Sequence, residues 1–303
     1  MKKKLITTLC ITAASIGAMT IGGYKAIEYA CKRQYNNRTL KEMPKDYMEW
    51  YSQIVFEDMH IESDDGLILK AKFLRNNTNK LLIAVHGYHS NNLFEYAYFL
   101  KFYYQMGYSI LLPDNRAHGE SEGKWIGFGW LDRLDIMKWM DTMIDMNHDY
   151  SIVLHGISMG SSTVLNISGE DIADNVKCII SDCGFTNVYD QMIHVGKKSQ
   201  RAMLLLLPIA NLMSKKVLGY HFKEASPLLQ VQKSKTPTLF IHGEKDTYVP
   251  LYMVYDLYEA CSAKKELLVV EGAKHANSYF VNKDLYEKRV KEFIEKHVGV
   301  NEN

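Results

Sequence analysis

The chain is short of the features that mark several functional classes. It has five cysteines in 303 residues, and Cys10, Cys31, Cys178, Cys183 and Cys261 fall at no metal-ligand spacing. A domain of this size needs no disulfide staple, so the cysteines read as small buried hydrophobes. Net charge is also scarce: 36 Lys and Arg stand against 35 Asp and Glu, a formal charge of +1. That balance gives no electrostatic footprint for a nucleic-acid partner. The 20 tyrosines do not restore one, because base stacking needs a basic groove beside it and the sequence shows none. Gly-rich phosphate cradles, metal-ligand clusters, internal repeats and low-complexity tracts are absent as well. No cofactor and no metal are expected.

What is present is ordinary globular material, 47% hydrophobic and 23% charged. The length allows a membrane-proximal segment plus one domain of about 250 residues, which buries a substantial core. At the start, Lys2, Lys3 and Lys4 precede an apolar run over 5–23. About 20 residues cross the hydrocarbon core of a bilayer, although Thr and Gly dilute this run. Ala13-Ala14-Ser15 offers a cleavage site but leaves a short apolar region before it. An uncleaved anchor over 1–24 is therefore the expectation, with a secreted protein as the outcome if the segment is cut. The clustered lysines place the N-terminus in the cytoplasm and the body outside it. Residues 25–50 are polar and mixed in charge, a stalk or a helix packed on the domain edge.

From 51 to 303 the pattern is that of one domain. A hairpin turns at Asp64-Asp65-Gly66. Short apolar strands follow at 81–85, 108–112, 151–154, 176–180, 238–241 and 266–270. Helical patterns at 93–106, 131–146, 160–171, 250–262 and 284–297 alternate with them. Such alternation predicts a mostly parallel, twisted α/β sheet covered by helices on both faces. The stretch 185–232 interrupts the rhythm and reads as an inserted helical cap. Its apolar residues Met203 to Leu207, Ile209, Leu212 and Met213 need a surface to cover or an acyl pocket to line.

Gly156-Ile157-Ser158-Met159-Gly160 matches G-x-S-x-G, and so does Gly119-Glu120-Ser121-Glu122-Gly123. About one chain in ten of this length carries such a match by chance, so context must separate them. Ser158 follows an apolar strand and opens a helix pattern. A sharp strand-to-helix turn there exposes the hydroxyl and aims free backbone N–H groups at it. Ser121 sits in a polar loop between two glutamates, which oppose a developing oxyanion. A serine hydroxyl needs a base, and the base an orienting acid. Asp246 and His275 lie in loops just past the last two strands, in the chain order Ser, Asp, His. Asp182 and Glu244 are rivals for the acid. The N–H of Met159 and that of Tyr88, in the Gly-containing loop after the first parallel strand, are the expected oxyanion donors. Asp114 to Ser121 reads as a structural loop pinned by hydrogen bonds.

At these residues the chain resembles the α/β-hydrolase superfamily over about 51–298. His86-Gly87-Tyr88 is similar to its oxyanion loop and Asp114 to Ser121 to its D-x-R-x-H-G-x-S segment. Gly156 to Gly160 is similar to the nucleophile elbow, His242-Gly243 with Asp246 to the acid loop, and His275 to the base. Ala117 departs mildly, standing where that segment often has Gly. The likeness is to esterase-like and peptidase-like bacterial members, membrane-anchored or secreted. It implies a serine hydrolase that takes a small acyl substrate, most simply a carboxylic ester. An amidase, a peptidase and an acyltransferase share the same triad. A non-catalytic receptor, an adhesion protein and a membrane tether are the alternatives outside catalysis.

Overall fold

The structure is a computed structural model that describes residues 2–34, 44–199 and 201–299, with side chains from residue 17 onward except at 199 and 202. In chain order, helices α1 (Lys2–Cys31) and α2 (Lys45–Tyr51) precede strands β1 (Glu57–Glu62) and β2 (Ile68–Leu74). Next come β3 (Lys80–Val85), α3 (Asn92–Tyr96), α4 (Leu100–Gln105), β4 (Ser109–Pro113), α5 (Asp132–Met146), β5 (Ser151–Ile157), α6 (Met159–Ile167) and β6 (Val176–Asp182). Helices α7 (Val188–Ser199), α8 (Arg201–Leu204), α9 (Leu207–Leu218) and α10 (Pro227–Val231) then lead to β7 (Thr238–Gly243). The chain ends through α11 (Tyr252–Ala260), β8 (Lys265–Val270), α12 (Ser278–Val281) and α13 (Lys283–Val298).

The eight strands form one sheet in the order β1-β2-β4-β3-β5-β6-β7-β8. Strands β3 to β8 run parallel, and β2 lies antiparallel to both β1 and β4. This is the α/β-hydrolase fold. Successive side chains of a strand point to opposite faces. In β3, Leu81, Ile83 and Val85 join a core with Ile136, Trp139 and Met140 of α5. Leu82 and Ala84 join the opposite core with Tyr286, Val290 and Phe293 of α13. Both faces are thus covered, as near-continuous apolar strands require. Strand order reverses at β3, which has β4 on one side and β5 on the other. A crevice opens beyond the carboxyl ends of strands at such a switch, and ligands bind there.

The single helix expected over 93–106 is two short ones. The N–H of Phe99 bonds to Tyr96 O, one residue closer than an α-helical partner. The tightened turn lets Tyr96, Phe99 and Tyr103 converge on the buried His155 ring. An aromatic core outweighs helix continuity at that point.

The loop after β4 is held by charge. Arg116 forks onto Asp135 of α5 at 2.6 and 2.7 Å and onto Asp65 of the hairpin turn at 2.9 and 3.0 Å. Asp114 accepts from the N–H groups of Asn92 and Glu120. Burial and the neighbouring Asp135 push Asp132 up to about 6. Arg116→Ala strands this acidic pair in the interior, and removing one partner of a buried pair costs about 3–5 kcal/mol. Urea unfolding is expected to show that loss at pH 8. A carboxyl whose native pKa is raised stabilises the fold most at low pH and loses that contribution as pH rises. The deficit should therefore shrink at pH 5, and an equal deficit at both values contradicts this account of the loop.

Among the described residues, no helix is long and apolar enough to cross a membrane. The anchor expected over 1–24 falls mostly on residues 1–16, whose side chains lie outside the described ones. α1 continues past that segment to Cys31, and Ala26, Ile27 and Cys31 are buried with Leu207 and Ala210 of α9. α2 packs through Tyr47 and Trp50 onto Tyr98 and Tyr104. These parts of 25–50 are packed helices rather than a stalk; residues 35–43 lie outside the described ones.

Candidate active site

The turn between β5 and α6 carries Ser158, the helix N-cap, at φ 56° and ψ −113°. A left-handed φ is costly for a residue with a side chain, and such strain persists where the surroundings over-determine it. The surroundings are backbone. A Cβ on Gly156 would overlap the carbonyl of Gly160, and one on Gly160 would overlap that of Val85. Only glycine lets strand and helix approach this closely. The N–H of Ser158 donates to Asp182 O at 2.8 Å, which ties the turn to β6.

Ser158 Oγ lies 2.8 Å from His275 Nε2, and His275 Nδ1 lies 2.7 Å from Asp246 Oδ2. Asp246 Oδ1 accepts from the N–H groups of Tyr248 and Val249 at 2.8 and 2.9 Å. Both carboxylate oxygens are thus engaged, and the acid is fixed against rotation. The three side chains form one hydrogen-bonded line, with the hydroxyl at its end. Among the described residues, the only cluster of three side chains with metal-ligand chemistry is Cys183, Asp246 and His275. Two of its members are already committed to the line.

Met159 is the first residue of α6, so its N–H has no carbonyl partner within the helix. Gly87, after β3, comes so close that a Cβ would meet Ser158 Cβ at 3.3 Å. Tyr88 follows it, stacked on Phe128, and its hydroxyl donates to Ala30 O at 2.8 Å. Met159 and Gly87 thus flank the serine from two directions.

The rivals are occupied elsewhere. Ser121 Oγ is buried, donates to Asp114 O at 2.6 Å and accepts from Lys70 N at 2.8 Å. Glu244 accepts from Gly272 N. Asp182 accepts from the Tyr286 hydroxyl at 3.0 Å, and that hydroxyl also lies 3.1 Å from His155 Nε2. Burial pushes Asp182 up to about 7 and holds His155 down at about 3. His118 Nε2 accepts from His89 N while its Nδ1 faces Arg116 O, so it pins two loops as a neutral ring. Burial lowers its pKa to match.

A cavity of about 430 Å³ adjoins this line. Tyr88 and Tyr248 bound it on the triad side, the latter with its ring 4.9 Å from that of His275. Met203, Leu204, Leu207 and Ala210 of the insertion line it. Leu205 and Leu212, expected as cover or lining, face solvent, and Met213 packs against α1 at Gly23. Heptad-like apolar runs do not disclose which flank of a short helix meets the cavity. The sequence reading also missed Ala26, Tyr29 and Ala30 of α1, which line the cavity from residues distant in the chain. Their i, i+3, i+4 spacing was the only available signal.

The sequence pattern of the prolyl oligopeptidase family matches residues 94–301. The chain belongs to that family. Among curated relatives, the uncharacterized protein YqkD of Bacillus subtilis is 32% identical over 82% of this chain and 83% of its own length. The uncharacterized membrane protein YNL320W of Saccharomyces cerevisiae is 25% identical over 80% of each. Among solved structures, the Pyrococcus furiosus esterase Pf2001 matches with a TM-score of 0.69 and 25% identity, over 88% of this chain and 97% of that one. The acylaminoacyl peptidase of Pyrococcus horikoshii shares the fold, at 19% identity and a TM-score of 0.62, over 86% of this chain but 45% of that one. This member of the prolyl oligopeptidase family is a serine hydrolase by fold and kin.

Proposed function

We propose that the protein hydrolyses carboxylic esters through an acyl-enzyme on Ser158. The supporting observation is the hydrogen-bonded line Asp246–His275–Ser158 with a cavity behind Tyr88 and Tyr248 that, among the described residues, no Lys, Arg, Asp or Glu lines. A cavity of that character takes an uncharged acyl group. Ser158 Oγ attacks the carbonyl carbon while His275 Nε2 takes the hydroxyl proton. Asp246 holds Nδ1–H and stabilises the imidazolium. The oxyanion that forms lies at the N-terminus of α6, where the N–H groups of Met159 and Tyr88 donate to it. Collapse breaks the ester C–O bond, and the alcohol leaves with the proton from His275. Water then attacks the acyl carbon with His275 as base, releasing the acid and restoring Ser158.

Amide cleavage uses the same groups, and the family match and the esterase and peptidase neighbours are compatible with either substrate. Paired substrates with one acyl group, a p-nitrophenyl ester and a p-nitroanilide, test the reading. The ester is expected to exceed the anilide in kcat/KM by at least about a hundredfold, about 3 kcal/mol of barrier. Equal or faster anilide turnover assigns the protein to amides instead.

A further inference from the structure

The cavity beside Ser158 is not closed by the insertion alone. Ala26, Tyr29 and Ala30 of α1 line it, with Gln34 just beyond the helix. This stripe is one face of the last turns of α1, and Ile27 and Cys31 on the adjoining face are fully buried. The helix end is fastened rather than resting loosely. Ile126 N donates to Cys31 O at 2.6 Å and Arg33 N to Lys124 O at 2.9 Å. The Arg33 guanidinium donates to Gly119 O at 2.6 Å and also to Ser121 O. The Tyr88 hydroxyl bonds to Ala30 O, so the wall is joined to the residue that follows Gly87 beside the nucleophile.

Position along the helix becomes depth in the cavity. Ala30 O accepts from the Tyr88 hydroxyl, which puts Ala30 at the Tyr88 end of the wall. Ala26 stands four residues back, about 6 Å further along the axis. Met203, Leu204, Leu207 and Phe222 line the same space. Alanine at both positions leaves a channel between α1 and the insertion where a larger side chain would fill it.

We propose that α1 is a fixed wall of the acyl site, that Ala30 and Ala26 measure the acyl chain at two depths, and that the substrates are esters of extended, unbranched aliphatic acids. This rests on the acyl-enzyme reading above and names its substrate class. Tyr29, 57% exposed, stands at the mouth of the same wall. Bulk at Ala30 blocks all but short chains. Bulk at Ala26 admits chains of middle length and stops longer ones.

The test uses the full chain and three fluorophosphonate probes, methyl, octyl and dodecyl, with labelling rates measured at Ser158. The parent is expected to react faster with the dodecyl probe. In Ala30→Phe the dodecyl-to-methyl rate ratio should fall at least about tenfold, the scale on which a pocket discriminates by methylenes. Ala26→Leu should leave an octyl probe less affected than the dodecyl one. Tyr29→Ala, at an exposed position, should lower the ratio too, and it decides the matter if Ala30→Phe does not fold. Leu212→Ala, on the solvent face of α9, serves as the unchanged control. An unaltered ratio in both Ala30→Phe and Tyr29→Ala overturns the wall, as does a parent with no preference for the longer probe; the hydrolase reading survives either result. Labelling of Ser158 by none of the probes overturns the hydrolase reading and this one with it.

Discussion

Ser158→Ala is expected to abolish fluorophosphonate labelling and to lower kcat for a good ester by about 10⁵–10⁶-fold, the scale seen when a triad nucleophile is lost. Two serines satisfy the same five-residue pattern, and the structure separates them by what their hydroxyls do. Ser121 Oγ is held between Asp114 O and Lys70 N, and its side chain is buried. Its proton and one lone pair are committed, and no base faces it. Ser158 Oγ faces His275 at 2.8 Å from a backbone that only close-packed glycines permit. Peptide mapping of the labelled parent should find the adduct on Ser158. An adduct on Ser121 with Ser158 unmodified sinks the assignment. Ser121→Ala should instead weaken the loop that Arg33 and Asp114 pin, and so lower thermal stability with the chemistry retained.

Asp246→Asn is expected to lower kcat by about 10⁴-fold while the fold survives, because an amide no longer holds Nδ1–H of His275 in the reactive tautomer. Asp246 Oδ1 still meets two backbone N–H groups in the variant, which preserves the loop. Asp182→Asn supplies the contrast. That carboxyl accepts from the Tyr286 hydroxyl and makes no hydrogen bond to His275. Its activity should stay within about tenfold of the parent, worth about 1.4 kcal/mol of barrier. Its stability profile should change more. With the native pKa at about 7, above the usual carboxyl value, the parent loses this group's contribution as pH rises towards 7. The asparagine variant has no proton to lose, so that decline flattens. The reverse ranking of the two variants in kcat moves the acid to β6.

The sheet was legible because its strands are short apolar runs bounded by turn residues. Each of 81–85, 151–154 and 238–241 lies inside an observed strand. The three members of the hydrogen-bonded line were legible from position, since each follows a strand and loops after parallel strands gather at one edge. What escaped depended on contacts between distant parts of the chain. The break at Phe99 answers to His155, more than fifty residues away in sequence. The orientation of Met203 against Leu205 depends on where α1 lies, which no local pattern encodes. The run over 5–23 announced hydrophobicity, but not that the helix continues to Cys31 and packs on α9.

The family pattern begins at residue 94, whereas α1 ends at Cys31 and Tyr88 precedes the match. Ser158, Asp246 and His275 thus fall inside the match, while α1 and Tyr88 lie ahead of it. The leading segment and the body are joined by bonds at Tyr88, Arg33 and Ile126 and by the packing of Ala26, Ile27 and Cys31 on α9. Such a division lets inheritance act on each separately. Residues 1–34 from one relative, grafted ahead of the body of another, would transfer one face of the cavity and leave the nucleophile, base and acid in their original company. If α1 sets the acyl length, substrate choice can change with a segment outside the family match while Ser158, Asp246 and His275 stay within it.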